Sequence, residues 1–284
     1  MPDRSLYDAI LARKSVRRYA PTVDAEILER VQEACASVQA LVPENRFTAT
    51  VQALQPNRDL VALLGTYGRL VAPPYVIVPS IEGANHSLAD LGFRAEQIVI
   101  RLTRLGLGTC YVGTLQQEDK TRQLYDLNPN QRVGAVIAFG FPTSSVVGKT
   151  FNLFVRSMAG ATNKRSLDRL YYTDLNEDPT TPPPSWAPLI EAARNAPSAV
   201  NAQPWRFVGK GNHLFIFSLR HSQKYGSGPG AAYKYYDCGL CMANIYLAMQ
   251  ALDIKGSLRL CSEPEEGMPA YPQDYQLLAE LVVG

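Results

Sequence analysis

Apolar residues recur along the chain at helical and at strand spacings, and the alternation of the two predicts a mixed α and β protein. Leu6 to Leu11 reads as a helix, with Ala12 to Ala20 as its basic end and Pro21 as its stop. Thr22 or Asp24 can cap a second helix to about Ala40, with Ile27, Leu28, Val31, Ala34 and Cys35 on one face. Phe47 to Leu54 alternates as a strand, a helix over roughly Asp59 to Tyr67 follows, and Ala72-Pro73-Pro74 leads into a buried strand, Tyr75 to Pro79. The clearest helix of the first half carries Ala95, Ile98, Val99, Leu102 and Leu105 on one stripe and ends at Gly106 and Gly108. Thr109 to Thr114 is extended, Gln116 to Tyr125 a surface helix, and Val133 to Phe139 an apolar strand suited to a sheet interior.

After Phe141 the pattern changes. Asp178 to Pro188 contains Pro-Thr-Thr-Pro-Pro-Pro and reads as an extended connector. A short helix, Leu189 to Asn195, then leads through a loop into a strand, Phe207 to Leu219, with a turn at Gly209 to Asn212. A second long helix shows the stripe Cys241, Ile245, Ala248, Met249 and Leu252.

The second half echoes the first. Asp90-x-Gly92 opens one long helix and Asp237-x-Gly239 the other, and at the same offset Ile98 matches Ile245, Leu105 matches Leu252 and Leu107 matches Ile254. Lys14-Ser15 is echoed by Arg165-Ser166, and the helix before Phe47 by the helix before Phe207. Two amphipathic helices can match by chance. The paired Asp-x-Gly openings and the common element order favour a two-copy repeat, residues 1–150 and 151–284, intertwined about a pseudo-two-fold axis like a fused dimer.

Composition narrows the class. The chain has 284 residues, a net charge of +2, 46% hydrophobic and 19% charged residues. That balance gives no field for nucleic acid or anionic membrane, and no apolar run approaches the roughly 20 residues of a membrane span. Asp3, Arg4 and Asp8 stand where a secretory peptide would be apolar, which implies a cytoplasmic protein. Cys35, Cys110, Cys238, Cys241 and Cys261 read as buried small hydrophobes rather than as zinc or redox ligands, and His86, His213 and His221 show no metal-ligand spacing.

The densest chemistry lies in Ala196-Pro-Ser-Ala-Val-Asn-Ala-Gln-Pro-Trp-Arg-Phe207. Pro197 and Pro204 break the chain out of helical angles. Ser198, Asn201 and Gln203 then offer neutral donors and acceptors beside Trp205, a set that suits a flat, uncharged heteroaromatic ligand. A capped helix end with a buried Trp is the other reading that these residues leave open. Arg13-Lys14-Ser15-Val16-Arg17 offers two forked guanidinium groups, a point charge and a hydroxyl, which suit a phosphomonoester, or else forms a solvated basic helix end.

Together the two stretches resemble the FMN-dependent nitroreductase family. Pro-Ser-x-x-Asn-x-Gln-Pro-Trp is similar to its flavin-ring loop, and Arg13 to Arg17 to its N-terminal phosphate motif. Members are usually homodimers with FMN at the interface, one subunit supplying each motif. Here the first half keeps Arg13, Lys14, Ser15 and Arg17, whereas Asp168 stands opposite Arg17 in the second. The second half keeps Pro197, Ser198, Asn201, Gln203 and Trp205, with Ala199 among them as a further cofactor-binding residue, whereas residues 36–45 of the first have lost the motif. The resemblance, to the tandem putative-nitroreductase branch, therefore implies one complete FMN site per chain and a damaged mirror site. It implies an α+β nitroreductase-like fold: two similar halves in tandem forming a pseudo-dimer, each a mostly antiparallel sheet flanked by helices.

The resemblance extends to further residues. Tyr111, Val112 and Gly113 match the turn that presents backbone N–H groups to the flavin N5 and O4 edge, although an acidic residue often stands where Val112 does. Arg69 falls where relatives place a cation near N1 and O2, and Lys149 where they place a later phosphate ligand. Lys224 to Ala232, with Tyr233, Tyr235 and Tyr236, reads as a glycine-rich loop bordering the open flavin face, or as a plain structural turn. The implied activity is hydride transfer from NAD(P)H through FMN to a nitroaromatic, a quinone or a similar small molecule, with no side chain as catalyst. A non-catalytic flavin-binding protein and a ligand-free interaction protein are the alternatives. A single chain would form the dimer-like unit, with higher assembly open.

Overall fold

The computed structural model describes residues 5–54, 71–143, 163–261 and 268–284. The first half contains α1 (Ser5–Ala12), α2 (Ala25–Ala36), β1 (Arg46–Ala53), β2 (Tyr75–Glu82), α3 (Ser87–Arg104), β3 (Gly108–Gly113), α4 (Glu118–Leu124) and β4 (Ala135–Gly140). The second contains β5 (Tyr171–Tyr172), α5 (Ala187–Asn195), β6 (Trp205–Lys210), β7 (His213–Leu219), α6 (Tyr233–Ala251), β8 (Gly256–Leu260) and β9 (Tyr275–Val283). The expected helix over Asp59 to Tyr67 lies outside the described residues.

Each half builds one sheet. The first has the order β1-β2-β4-β3, and the second has β6-β7-β9-β8 with the two-residue β5 added in parallel beside β6. All other strand pairings are antiparallel. The two orders are the same once strands are matched in sequence, so the repeat read from residue spacing reappears as topology. β4 is interior and wholly buried, as its apolar run predicts.

α3 and α6 lie between the sheets and pack on each other. Their crossing explains the paired Asp-x-Gly openings. A Cβ on Gly92 would lie 2.2 Å from the Tyr236 carbonyl oxygen, and a Cβ on Gly239 would lie 2.1 Å from that of Ala89. Each helix thus presses a glycine against the backbone one residue before the other's Asp. One apolar core runs through both helices, α5 and the inner faces of both sheets. On β2, Ile77 and Ile81 face this core while Val76 and Val78 face a smaller outer cluster, the period of two expected of a strand covered on both sides.

Three expectations are corrected. α1 stops at Ala12, and Arg13 to Ala20 is not its basic end but a non-helical strap along the first sheet. Ser15 bridges Thr109 in parallel and the Val16 N–H donates to the Thr109 carbonyl (2.8 Å), so pairing with β3 outweighs local helix preference. α2 ends at Ala36 rather than Ala40, its last turn closed by the Ser37 N–H on the Glu33 carbonyl. α3 is buried almost all round rather than along a stripe, because it is covered by α6 as well as by its sheet. All five cysteines are buried. Among the described residues no helix is long and apolar enough to cross a membrane.

Candidate functional site

A cleft of about 1110 Å³ opens between the halves. One wall is the strap: Arg13, Lys14, Ser15 and Arg17, with Leu11 and Ala12 before them. A second is the sheet edge at Cys110, Tyr111, Gly113 and Ala135. A third is the end of α5 at Asn195 and the loop after it: Pro197, Ser198, Ala199, Val200 and Asn201. Tyr233, Tyr236, Asp237 and Leu240, from the first turns of α6, complete it. The volume slightly exceeds the range of about 300–1,000 Å³ usual for small-molecule sites.

The structure therefore brings the two sequence motifs to one cavity. Val112 and Gln203 stand apart from it. Val112 packs among Val76, Val78 and Val136 on the outer side of the sheet. The buried Gln203 anchors the loop, its Oε1 accepting from the Arg165 N–H (2.9 Å) and its Nε2 donating to the Asn163 carbonyl (3.0 Å). Arg69 and Lys149 lie outside the described residues.

The loop is held in an unusual shape. Val200, Asn201 and Gln203 all have positive φ, at 47°, 51° and 50°. Asn tolerates this region, Gln does so less readily, and a β-branched residue there is a rare outlier. Several bonds impose the shape. The Ala199 N–H donates to Asp237 Oδ2 (2.9 Å), the Gln203 N–H to Ser198 Oγ (3.1 Å), and Asn201 Nδ2 to the Asn163 carbonyl (3.0 Å). Lys224 Nζ donates to the Asn201 carbonyl (3.1 Å).

The glycine-rich segment is a built part of the wall. Tyr225 is buried and its hydroxyl donates to Asp237 Oδ2 (2.8 Å). The Tyr233 hydroxyl accepts from the Leu115 N–H (3.0 Å) and lies where a Cβ on Gly113 would be, 2.4 Å away. Tyr235 instead donates to Gln276 Oε1 (3.0 Å).

Five basic side chains line the cleft (Arg13, Lys14, Arg17, Lys164 and Lys224) against one carboxylate, Asp237. Lys164 precedes Arg165-Ser166, the echo of Lys14-Ser15, so it is the repeat counterpart of Arg13. The two cations act on each other across the middle of the molecule. Burial, and then Arg13, lower the Lys164 ammonium to about 7. Its Nζ donates to the Ala196 carbonyl.

Glu96, fully buried on α3, answers both. Its Oε1 lies 3.9 Å from Arg13 Nε, and its Oε2 accepts from the Tyr111 hydroxyl (2.7 Å). Burial raises its carboxyl to about 7 against the pull of Arg13. Asp237 is likewise raised to about 7 by burial, opposed by its bonds from Tyr225 and Ala199. The Arg13 Nε and the Tyr236 hydroxyl are buried without a hydrogen-bond partner in the protein. Buried polar atoms of this kind are costly and call for a partner.

This constellation suits a flat ligand with an anionic end. The strap supplies the cations, the sheet edge and loop supply backbone and neutral polar groups, and Gly113 makes room for the Tyr233 hydroxyl at the sheet edge. FMN has both features, so the residues present fit that cofactor. Sequence reasoning missed Lys164, Glu96 and Val200 as site residues, whereas Lys224 and Tyr225 open the loop expected to border the flavin face. Lys164 was legible from the repeat, one position before the echoed pair. Glu96 and Val200 carried no local signal.

A family model described as "Putative TM nitroreductase" matches residues 5–252 of the chain. Among solved structures, a putative nitroreductase from Thermotoga maritima is similar over 98% of this chain and 93% of that one, at 20% identity and a TM-score of 0.59. A putative NADH dehydrogenase/NAD(P)H nitroreductase from Bacteroides thetaiotaomicron shares 21% identity over 50% of this chain and 88% of its own, at a TM-score of 0.42. An FMN-dependent nitroreductase from Clostridium difficile shares 18% identity over 48% of this chain and 87% of its own, at a TM-score of 0.40. No curated protein matches the chain.

Proposed function

The chain belongs to the nitroreductase family whose model matches it from residue 5 to residue 252, and from that premise we propose that it is an FMN-dependent oxidoreductase. Its electron donor is NAD(P)H and its acceptor a nitroaromatic, a quinone or a similar small molecule. The observation that carries this reading is the convergence of Arg13, Lys14, Ser15 and Arg17 with Pro197, Ser198, Ala199 and Asn201 on one cleft. When bound, FMN supplies the electron carrier between donor and acceptor.

The chain's own residues bind and orient. Arg13, Arg17 and Lys14 hold the phosphate, with Ser15 adding a hydroxyl. The Pro197 to Asn201 loop and the sheet edge at Tyr111 and Gly113 frame the ring. Tyr233 and Tyr236 shield one side from water. The roles of Arg69 beside the ring and Lys149 at the phosphate rest on resemblance, as does the division into residues 1–150 and 151–284.

The test is an absorption spectrum. Protein incubated with FMN and desalted is expected to stay yellow, to bleach with NAD(P)H and to recover with a nitro compound. Replacing Arg13 and Arg17 by Ala should weaken FMN binding by more than about 100-fold, since each removes a charge-assisted contact worth roughly 1.5–3 kcal/mol. A desalted wild type with no flavin spectrum would sink the proposal.

A further inference from the structure

Glu96 is fully buried on α3, one side chain behind the wall of the main cleft. Two residues of that wall reach it. The Tyr111 hydroxyl donates to Oε2 (2.7 Å), and Arg13 Nε stands 3.9 Å from Oε1, beyond hydrogen-bond range. Both Oε1 and Arg13 Nε are buried without a hydrogen-bond partner in the protein. A carboxylate taken out of water with one oxygen unsatisfied is costly, so the position needs a reason.

The fold supplies none. At the offset that carries Ile98 onto Ile245, Glu96 falls on Ala243 and Tyr111 on Leu258. Ala243 is as fully buried as Glu96, and Leu258 turns to the same core as Tyr111. A methyl and an isobutyl group thus do the packing in one half. The carboxyl and phenol stand only where the strap and the Pro197 to Asn201 loop meet.

We propose that Glu96 is a proton store for the cleft: it takes up one proton, by way of the Tyr111 hydroxyl, when bound FMN accepts a hydride, and returns it when the acceptor carries the electrons away. The inference rests on the oxidoreductase reading given above. Hydride transfer moves two electrons and a proton from NAD(P)H, which leaves oxidised, and makes the ring one charge more negative. A second proton comes from solvent and forms the O–H bond of the Glu96 carboxyl. When a quinone then receives the hydride, that O–H bond breaks and its proton goes to the quinone oxygen. The Tyr111 hydroxyl can accept from the carboxyl while donating towards the cleft, so it serves both directions. Glu96 itself touches neither ring nor acceptor.

Its surroundings suit the exchange. Burial raises the carboxyl to about 7, against Arg13, the Tyr111 bond and Lys164, which lower it. The FMN phosphate and the reduced ring each add negative charge, which moves it further up. Arg13 on the strap, Tyr111 on β3, Tyr236 on α6 and Lys164 before Arg165 are the titratable groups facing it. The other elements packed on α3, namely α1, α2 and β2, turn Ile10, Val31 and Ile77 to this core. Lys164, lowered to about 7, and Asp237, raised to about 7, are the competing stores.

The test measures the midpoint potential of FMN-loaded protein against pH, which counts the protons taken up per two electrons. Above about pH 7, wild type is expected to take up about two and then, past a break at higher pH, about one. Glu96→Gln, which can still accept from Tyr111, should take up about one throughout that range. Tyr111→Phe removes a bond that lowers the Glu96 carboxyl, so its break should move to higher pH. Infrared difference spectra, reduced minus oxidised, should gain the carbonyl band of a protonated carboxyl in wild type and lack it in Glu96→Gln. A purely structural Glu96 would move neither readout.

A Glu96→Gln protein with the wild-type proton count overturns the store and passes the role to Asp237 or Lys164. So does a wild type that shows no break and no carboxyl band. Should Glu96→Gln fail to hold FMN, the Tyr111→Phe break and the wild-type band decide alone, and an unmoved break overturns the proposal. A wild type that binds no flavin overturns the oxidoreductase reading itself, before any potential is measured.

Discussion

Glu96 shows what a single buried carboxyl does to this protein. Its folded value of about 7 lies above the ordinary 4.5 because burial disfavours the charge. The folded state therefore holds this proton more tightly than the unfolded state does. As pH rises from about 4.5 to about 7, the unfolded chain loses the proton first, and folding stability falls. Asp237 adds a change of the same sign from 3.8 to about 7. Lys164 acts oppositely but only higher, because its folded value of about 7 lies below 10.5 and its contribution makes stability rise between those limits. Comparing pH 5 with pH 7 thus isolates the carboxyls. Glu96→Gln keeps the shape and can still accept from Tyr111. It is expected to flatten the loss between these pH values by on the order of 1–3 kcal/mol. Urea midpoints of the ligand-free protein measure it, and equal slopes in variant and wild type would contradict the assignment.

At the scale of elements, the crossing of α3 and α6 sets where the cleft floor lies. Glycine inside a helix costs roughly 0.5–1 kcal/mol relative to Ala, so Gly92 and Gly239 need a reason. The reason is the close carbonyl of the partner helix, 2.2 and 2.1 Å from where each Cβ would be. Backbone cannot swing aside as a long side chain can. Gly92→Ala and Gly239→Ala are each expected to cost about 3 kcal/mol, the upper end for overpacking. The double variant should cost less than the sum, because helices already forced apart leave room for the second methyl. Denaturant titration of the three variants decides it, and a neutral single variant would remove the reciprocal contact from the account.

The sequence made the spacing of those glycines legible, because the Asp-x-Gly pairs recur at a fixed offset. It could not show that the glycines face each other. The strap failed for a related reason. Arg13 to Ala20 has local helix preference, while its partner Thr109 is far along the chain, and only the folded sheet brings that partner near. The motif residues were legible because their chemical types are unusual together. Glu96 was not, because a carboxylate inside an amphipathic pattern reads as a solvated face until α6 covers it. Val200 was hidden too, since no residue type announces its own φ.

At the scale of the molecule, the two halves are alike in topology and unlike in what they present. Near the counterpart of the main cleft lies a smaller one of about 690 Å³, lined by Gln39 to Leu41, Phe93 and Gly256 to Leu258. Its charged lining is one Asp253 and one Lys255, against the five bases of the larger cleft. The opening Asp of each long helix tells the same story. Asp237 holds the Ala199 N–H and faces the cleft, with Cys241 one turn on. Asp90 holds the Leu41 N–H and is instead neutralised by Arg94 one turn on, at 2.9 Å. A phosphate entering the smaller cleft would meet no excess of positive charge. Titration is thus expected to give one FMN per chain, with no second, weaker site when the first is full. Both motifs of the larger cleft belong to the same chain, so on the function proposed above FMN binding is expected not to depend on chain concentration. Dilution of the loaded protein, with free FMN held constant, should leave the bound fraction unchanged, as read by flavin fluorescence. A ratio of two, or a bound fraction that falls on dilution at fixed free FMN, would mean that a second chain or the smaller cleft takes part in holding the cofactor.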